Sequence, residues 1–136
     1  MFILSGEKNK KIQEIAQNYF IELLLIFGSR VEGQIHKESD YDVAYLSKKN
    51  LNLEEEAKLI IELSSIFSDE NIDLVNLRNA PALLLYKIAD KCQVLYELYP
   101  LKFYSLRAYA FKRYIEEAKP LMKNKFERLQ LEINKL

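Results

Sequence analysis

The chain has 136 residues, 49% of them hydrophobic, which is enough for one domain with a single buried core. Its 20 basic and 20 acidic residues cancel, so it lacks the excess positive charge that holds proteins on long nucleic acids. The single cysteine excludes an internal disulfide and suits a reducing compartment. The N-terminus lacks the pattern of a secretory signal, and the most apolar run, residues 20–27, is far shorter than the roughly 20 residues of a membrane span. We therefore expect a cytoplasmic protein with no membrane segment.

Helical and strand patterns alternate along the first part of the chain. Apolar residues at helical spacing predict a helix over residues 8–19. The continuous apolar run Ile21–Phe27 ends at Gly28 and predicts a buried strand. Polar residues 29–39 indicate a short helical turn followed by a loop. The β-branched and aromatic residues of segment 40–46 predict a second strand.

The alternation continues through the middle of the chain. Apolar residues at helical intervals predict a helix over residues 54–67, with Asn52 as its N-cap. Next come a third strand, a helix and a fourth strand, predicted over residues 71–77, 80–89 and 92–98. This order favours an α/β or α+β domain, in which helices flank a mixed sheet of about four strands.

The remainder of the chain predicts a long C-terminal helical tail that starts near residue 101. Apolar side chains repeat there at intervals of three and four residues, and Pro120 is expected to kink or split the helix. We expect residues 1–99 to form the core and residues 100–136 to form a helical extension of the same domain. Either the apolar stripe of the tail packs on the sheet, or its distal half docks on a partner or a second copy of the chain.

Two carboxylates lie two residues apart in the predicted second strand. Side chains at positions i and i+2 share one face of a strand, so Asp40 and Asp42 are expected to point the same way. Neighbouring carboxylates are costly unless a cation neutralises them. Because Mg²⁺ prefers a few carboxylates together with water and phosphate oxygens, both residues are candidate metal ligands.

A third carboxylate, Asp73, lies between apolar residues in the third predicted strand, where an unpaired charge is expensive. If the second and third strands are neighbours, Asp73 lies beside Asp40 and Asp42. Three carboxylates can hold two cations about 3.5–4 Å apart, as in two-metal phosphoryl and nucleotidyl transfer. We therefore predict a site for two Mg²⁺ ions.

A phosphate-binding turn is predicted at the end of the first strand. Gly28 and Ser29 follow this strand and open a helical turn. Free backbone N–H groups bind anions at such a turn, glycine lets a phosphate approach the backbone, and serine adds a hydroxyl donor. Arg30 is a further candidate phosphate ligand, the alternative being an exposed surface arginine.

Together these residues resemble a known family. Gly28-Ser29, ten intervening residues and Asp40-Tyr41-Asp42 reproduce the Gly-Ser-x10-Asp-x-Asp signature of the DNA polymerase beta nucleotidyltransferase superfamily. Asp73 follows where that superfamily has its third aspartate. The longer string GSRVEGQIHKESDYDV is similar to the minimal nucleotidyltransferase (MNT) subgroup, and the resemblance spans residues 23–96 in element order. It implies a polymerase-beta-like nucleotidyltransferase fold.

The resemblance also implies a chemistry. A hydroxyl attacks the α-phosphorus of a nucleoside triphosphate in line, and pyrophosphate leaves. Asp40 and Asp42 are then expected to bind both metal ions, and Asp73 to complete the catalytic metal site and help to activate the acceptor hydroxyl. Ser29 is expected to hold the triphosphate.

The short chain lacks the additional domains with which polymerases of the superfamily grip nucleic acid. MNT chains of this size resemble the antitoxins of HEPN/MNT toxin–antitoxin pairs. That resemblance implies an enzyme that transfers AMP from ATP to a tyrosine of a HEPN toxin, an RNase, and so inactivates it. The partners implied are therefore ATP and a HEPN-type toxin.

Two alternative functions stay open. One is a small-molecule nucleotidyltransferase similar to the aminoglycoside-modifying enzymes, but the C-terminal region is rich in lysine and arginine and so disfavours a polycationic acceptor. The other is a non-catalytic antitoxin that neutralises its toxin by occlusion. The intact set of three aspartates disfavours it.

Several other residues are candidates for a functional role, but a solvent-exposed or structural role is more common for residues of their types. His36 and Lys37 lie close to the candidate site in sequence, yet charged or polar loop residues are usually only solvated. Cys92 is expected to be a small buried hydrophobe. A basic and aromatic cluster in the tail can contact a nucleotide or a partner, although tyrosines at helical spacing are more often at the edge of a core. Its members are Tyr104, Arg107, Tyr109, Lys112, Arg113 and Tyr114.

Overall fold

A computed structural model describes residues 4–28, 31, 40–68 and 71–136. The helices are α1 (Gly6–Asn18), α2 (Leu53–Ile66), α3 (Ala82–Asp90), α4 (Lys102–Arg113) and α5 (Lys119–Asn134). The strands are β1 (Ile21–Phe27), β2 (Tyr41–Ser47), β3 (Ile72–Asn76) and β4 (Cys92–Glu97). A short 3₁₀ turn, Leu77–Asn79, follows β3, and a π-helical segment, Tyr114–Ala118, joins α4 to α5.

The four strands form one mixed sheet in the order β3-β2-β1-β4. β2 and β3 are parallel, whereas β1 is antiparallel to both of its neighbours, β2 and β4. The predicted fold class, a mixed sheet flanked by helices with a long helical tail, is therefore confirmed. The predicted neighbourhood of the second and third strands is confirmed as well.

Helices cover both faces of the sheet. On one face, α1 and α2 pack on apolar side chains of β1 and β2 such as Leu24 and Val43. On the other face, α3 and α4 pack on Leu23, Leu25 and Ala44. Because β1 lies inside the sheet and is covered on both sides, its sequence is continuously apolar rather than alternating.

The alternation of side chains assigns the strand carboxylates to one face. Val43 packs under α1 and α2, and Ala44 packs under α3 and α4, so Asp42 belongs to the face of Ala44. In β3, Val75 packs with the α3–α4 cluster, and Asp73 is two residues before it. Asp42 and Asp73 therefore lie on the same face of the sheet.

The limits of several elements differ from the predictions. Asp40 was expected inside the second strand, but β2 begins at Tyr41 and Asp40 is an exposed residue just before it. The third strand ends at Asn76 because its side chain accepts a hydrogen bond from the Arg78 N–H at 3.0 Å and turns the chain. The helix predicted over residues 80–89 begins only at Ala82.

The C-terminal tail is interrupted, as Pro120 predicts. Pro120 lies in the first turn of α5, and its ring opposes the carbonyl of Glu116, which lies in the π-helical segment. The first half of the tail packs on the core, where Leu106 and Ala110 are buried. No described residue of α5 is buried, so packing on the core is confirmed only for the first half of the tail, and docking of the distal half on a partner or a second copy stays a prediction.

None of the helices in the described ranges combines the length and apolarity needed to cross a membrane.

The start of α2 is fixed by a capping box, which confirms the predicted N-cap. The Asn52 side chain accepts a hydrogen bond from the Glu55 N–H at 2.8 Å, and the Glu55 carboxylate accepts one from the Asn52 N–H at 3.3 Å. Two N–H groups without helical partners are thus satisfied.

We expect Asn52→Ala to lower the free energy of unfolding by about 1 kcal/mol, because the Glu55 N–H loses its acceptor. Chemical denaturation followed by circular dichroism measures this change. Asn52→Asp keeps an acceptor at the same place and is the matched control. Equal stability of the two variants would contradict a role of the side chain in capping.

Candidate active site

The candidate site lies where β1 ends and the other three strands begin. We call this row of strand ends the sheet edge; it is distinct from the outer strand β3, which is the edge strand. At this edge Phe27, the last residue of β1, pairs with Asp42 on one side and with Cys92 on the other. Asp42 in turn pairs with Asp73 across the parallel strands. A row of four positions, Asp73, Asp42, Phe27 and Cys92, therefore crosses the sheet.

The carboxylates at this edge interact electrostatically. Burial, followed by the negative charges of Asp73 and Asp40, raises the pKa of the half-buried Asp42 carboxyl above its ordinary value. Asp73 and Asp40 are thus both close enough to Asp42 to disfavour ionisation of its carboxyl. A bound cation would reverse this cost, since it favours the ionised carboxylates.

Asp73 is more accessible than the sequence suggested. It was expected to be costly because its neighbours in the strand are apolar, but β3 is the edge strand of the sheet and Asp73 is exposed. At this edge its side chain is accessible to solvent, which lowers the cost of its charge. The residue is consequently accessible to a ligand that approaches the edge.

Gly28 fits closely against Asp42. Its φ of +80° lies in the left-handed region, and a Cβ at this position would collide with the Asp42 carboxylate. Glycine is therefore required here both for the left-handed backbone conformation and for the close contact with the Asp42 side chain. The Gly28 carbonyl accepts a hydrogen bond from the Val31 N–H at 3.1 Å, as expected for a turn that starts directly after β1.

Ser29 and Arg30, the other predicted nucleotide-binding residues, lie outside the described residues, and so do His36 and Lys37. Their roles stay predictions. Gly28 fixes only where the chain leaves the sheet.

The donor set at the edge suits a hard cation such as Mg²⁺. Asp42 and Asp73 supply carboxylates from paired positions of neighbouring strands, and the Asp42 carboxylate lies directly against Gly28. Within residues 4–28, 31, 40–68 and 71–136, however, no three His, Cys, Asp or Glu side chains are grouped so that they could hold a metal ion. The adjacent pair thus fits a cation, and Asp40 as a further ligand stays a prediction.

Cys92 belongs to the row of site residues, a position that the sequence analysis missed. Its strand was predicted, but only the antiparallel pairing of β4 with β1 brings it beside Phe27. Cys92 is half-buried rather than buried, and burial raises the pKa of its thiol to about 11. The thiol is therefore protonated near neutral pH and a poor nucleophile.

The basic and aromatic cluster of the tail is divided between the core edge and an open cleft. Tyr114 stacks on Tyr86 with ring centroids 4.2 Å apart, as expected for the edge of a core. Tyr104 and Arg107 line a cleft of about 470 Å³ between α3 and α4. Arg113 is tied to the fold, since it donates hydrogen bonds to Glu117 and to the Ala80 carbonyl at 2.6 and 3.1 Å.

We expect Gly28→Ala to lower the free energy of unfolding by about 1–3 kcal/mol, because the new methyl group must displace the Asp42 carboxylate and hold a left-handed backbone. Thermal or chemical denaturation measures the loss. The control is Gly6→Ala in the first turn of α1, where a Cβ meets no atom within 4 Å. Equal stability of the two variants would show that Gly28 is not constrained by Asp42.

The polymerase beta nucleotidyltransferase family model matches residues 10–99, more than half of the chain. The chain belongs to this family. It is 30% identical over 106 residues to the protein adenylyltransferase MntA of Shewanella oneidensis, with 73% of this chain and 76% of MntA covered. It is 34% identical over 87 residues to the MntA of Aphanizomenon flos-aquae, with 57% and 58% covered. The resemblance to the MNT subgroup is thereby confirmed.

Solved structures of the same family share the fold. A toxin–antitoxin complex with AMP-PNP contains a chain that matches with a TM-score of 0.74 and 22% identity, over 90% of this chain and 98% of that one. The complex of a tri-AMPylated Shewanella oneidensis HEPN toxin with its MNT antitoxin matches with a TM-score of 0.69 and 19% identity, over 91% and 97%. Both matches extend beyond residue 99, so the overall fold that they share includes part of the helical tail.

Proposed function

We propose that this chain is the antitoxin of a HEPN/MNT toxin–antitoxin pair, and that it inactivates its partner by transferring AMP from ATP to a tyrosine hydroxyl of the toxin, a HEPN-type RNase. The observation that carries the proposal is the register of β2 and β3, which sets Asp42 beside Asp73 next to the Gly28 turn. A nucleotidyltransferase needs carboxylates and a phosphate-binding turn at one place.

Relatives of the chain support the choice of donor and acceptor. The two curated relatives are protein adenylyltransferases, which makes ATP the donor and a protein the acceptor. One related complex contains AMP-PNP, and another contains an AMPylated HEPN toxin. A cytoplasmic location, where ATP is present and Cys92 stays reduced, forms part of the proposal.

The residues at the sheet edge have distinct roles in this reaction. The turn that starts at Gly28 binds the triphosphate through its backbone N–H groups, with Ser29 and Arg30 as further ligands. Asp42 and Asp73, with Asp40 as the predicted third ligand, would hold two Mg²⁺ ions, which would supply positive charge to neutralise the triphosphate. Asp42 interacts with both other carboxylates and lies against Gly28, so metal ions bound to it would lie beside the Gly28 turn.

Asp73 faces the acceptor side because it is exposed on the edge strand. Its carboxylate accepts the proton of the tyrosine hydroxyl as the tyrosine oxygen bonds to the α-phosphorus. The bond from the α-phosphorus to the bridging oxygen breaks in line, and pyrophosphate carries the electron pair away. The exposed position of Asp73 admits a side chain of a second protein, which a buried aspartate would not.

We expect Asp42→Asn and Asp73→Asn each to slow AMP transfer by at least about a hundredfold, because each removes a charge that the transition state requires. The measurement is intact mass spectrometry of the co-purifying HEPN-type protein after incubation with the chain, ATP and Mg²⁺. The wild-type chain should add one or more AMP units to it.

The matched control is Glu14→Gln, which replaces an exposed carboxylate on α1 by an amide and should transfer AMP at the wild-type rate. Binding and inhibition of the HEPN-type protein by the Asp variants distinguish enzymatic inactivation from occlusion. A toxin that stays inhibited without any gain in mass would establish occlusion and overturn the enzymatic proposal.

Removal of divalent cations should abolish the transfer, because Asp42 and Asp73 then repel each other and the triphosphate. We expect no AMP addition in the presence of EDTA and full recovery when Mg²⁺ is added in excess. The same mass measurement follows both steps. Transfer at an undiminished rate in EDTA would contradict the role of these carboxylates as metal ligands.

A further inference from the structure

The last helix, α5, carries an apolar seam that its own chain leaves uncovered. In the part of the chain that the structure describes, no residue of α5 is buried. Its seam consists of side chains that are 50–66% exposed, namely Met122, Phe126, Leu129 and Ile133. Helices in proteins derive most of their stability from packing of an apolar face, and the described residues of α5 pack none of their apolar side chains in the core.

The spacing of the seam is that of a coiled coil. Its residues follow one another at intervals of four, three and four, so they stay on one stripe that faces a neighbouring helix. A groove of about 290 Å³ lies between Phe126, Leu129 and Ile133. Such a groove between successive seam residues accommodates the side chains of an opposing helix.

The charges beside the seam are complementary to a second, antiparallel copy of the same helix. Lys125 precedes Phe126 and Glu132 precedes Ile133, so both lie on the same flank of the seam, seven residues apart. When two identical helices pair in antiparallel orientation, this flank faces the same flank of the other helix. Lys125 then faces Glu132 of the second copy, and the two-fold axis repeats the ion pair.

In the same antiparallel register, the apolar seam residues of the two copies also face one another. Phe126 packs against Leu129 of the second copy, and Met122 packs against Ile133 of the second copy. On the other flank, Lys123 faces the uncharged Gln130, so no like charges meet. In a parallel pair Lys125 would face Gln130 instead, and the ion pairs would be lost. The charge pattern therefore favours an antiparallel pair of α5 helices.

We propose that the seam of α5 binds a second copy of this chain, as an antiparallel homodimer with a two-fold axis between residues 127 and 128. This interface is separate from the sheet edge that holds Asp42 and Asp73. It does not depend on the proposed function, and each subunit keeps its own candidate active site.

The first test is the mass of the full chain in solution, measured by sedimentation equilibrium over a range of concentrations. The wild-type chain should dimerise in a concentration-dependent manner, and Leu129→Glu should remain a monomer because it places a charge in the centre of the seam. Leu131→Glu is the matched control, since Leu131 is 62% exposed on the same helix but lies outside the seam. It should dimerise like the wild type.

A charge exchange tests the orientation of the two helices. Lys125→Glu and Glu132→Lys should each weaken self-association by roughly tenfold, since each replaces two ion pairs by two like-charge contacts. The double variant restores opposite charges and should dimerise like the wild type. Circular dichroism of every variant checks that the helices are still folded.

Two results would overturn the proposal. One is a wild-type chain that stays monomeric at every concentration. The other is a set of seam and charge variants that change binding of the HEPN-type protein but leave the self-association of the chain unaltered, which would assign the seam to that partner. AMP transfer, measured separately, tests the proposed function and is independent of both results.

Discussion

The candidate site depends on one pairing, the parallel register that sets Asp42 directly beside Asp73. Adjacent positions in neighbouring strands bring carboxylates within a few ångströms of each other, and like charges at that distance oppose ionisation. The raised pKa of Asp42 reflects this repulsion together with burial. A fold that keeps such a pair at an accessible edge is suited to a divalent cation, which turns the repulsion into attraction.

The remainder of the sheet supports this pairing. β1 is buried on both faces and antiparallel to its neighbours, so its end coincides with the beginnings of β2 and β4. Gly28 then turns the chain away from the sheet directly against the Asp42 carboxylate, so the proposed phosphate-binding turn starts beside the proposed metal ligands. The helices on the two faces hold β1 and β2 in place, while β3 stays at the edge and leaves Asp73 accessible.

Much of this could be predicted from the sequence because each strand has a clear local signal. The apolar run of β1 ends at a glycine, Asn52 and Glu55 form a capping box, and the Gly-Ser-x10-Asp-x-Asp spacing is specific for one superfamily. The remaining features depend on contacts between distant segments. The exposure of Asp73, the place of Cys92 next to Phe27 and the start of β2 after Asp40 all follow from strand pairing, which periodicity does not encode.

In the helical tail, too, local features could be predicted, whereas features that depend on contacts between distant segments could not. Its period of three and four residues predicted the helix, and Pro120 predicted the interruption, since both are local effects. Which half of the tail packs on the core depends on contacts with distant segments, since Leu106 and Ala110 pack in the cluster of β1 and α3 residues whereas no described residue of α5 is buried. The sequence therefore identified an apolar stripe and singled out its distal half for docking, but periodicity did not locate the boundary between Ala110, which is buried, and the exposed seam of α5.

In the proposed site, Asp42 and Asp73 hold the metal ions beside the nucleotide-binding turn that starts at Gly28. The most direct measurement is the binding of Mn²⁺, a paramagnetic substitute for Mg²⁺, followed by electron paramagnetic resonance in the presence of a non-hydrolysable ATP analogue. We expect saturable binding to the wild-type chain and its loss in the Asp42→Asn/Asp73→Asn double variant. Undiminished Mn²⁺ binding by a folded double variant would contradict the account and place the metal site elsewhere in the protein.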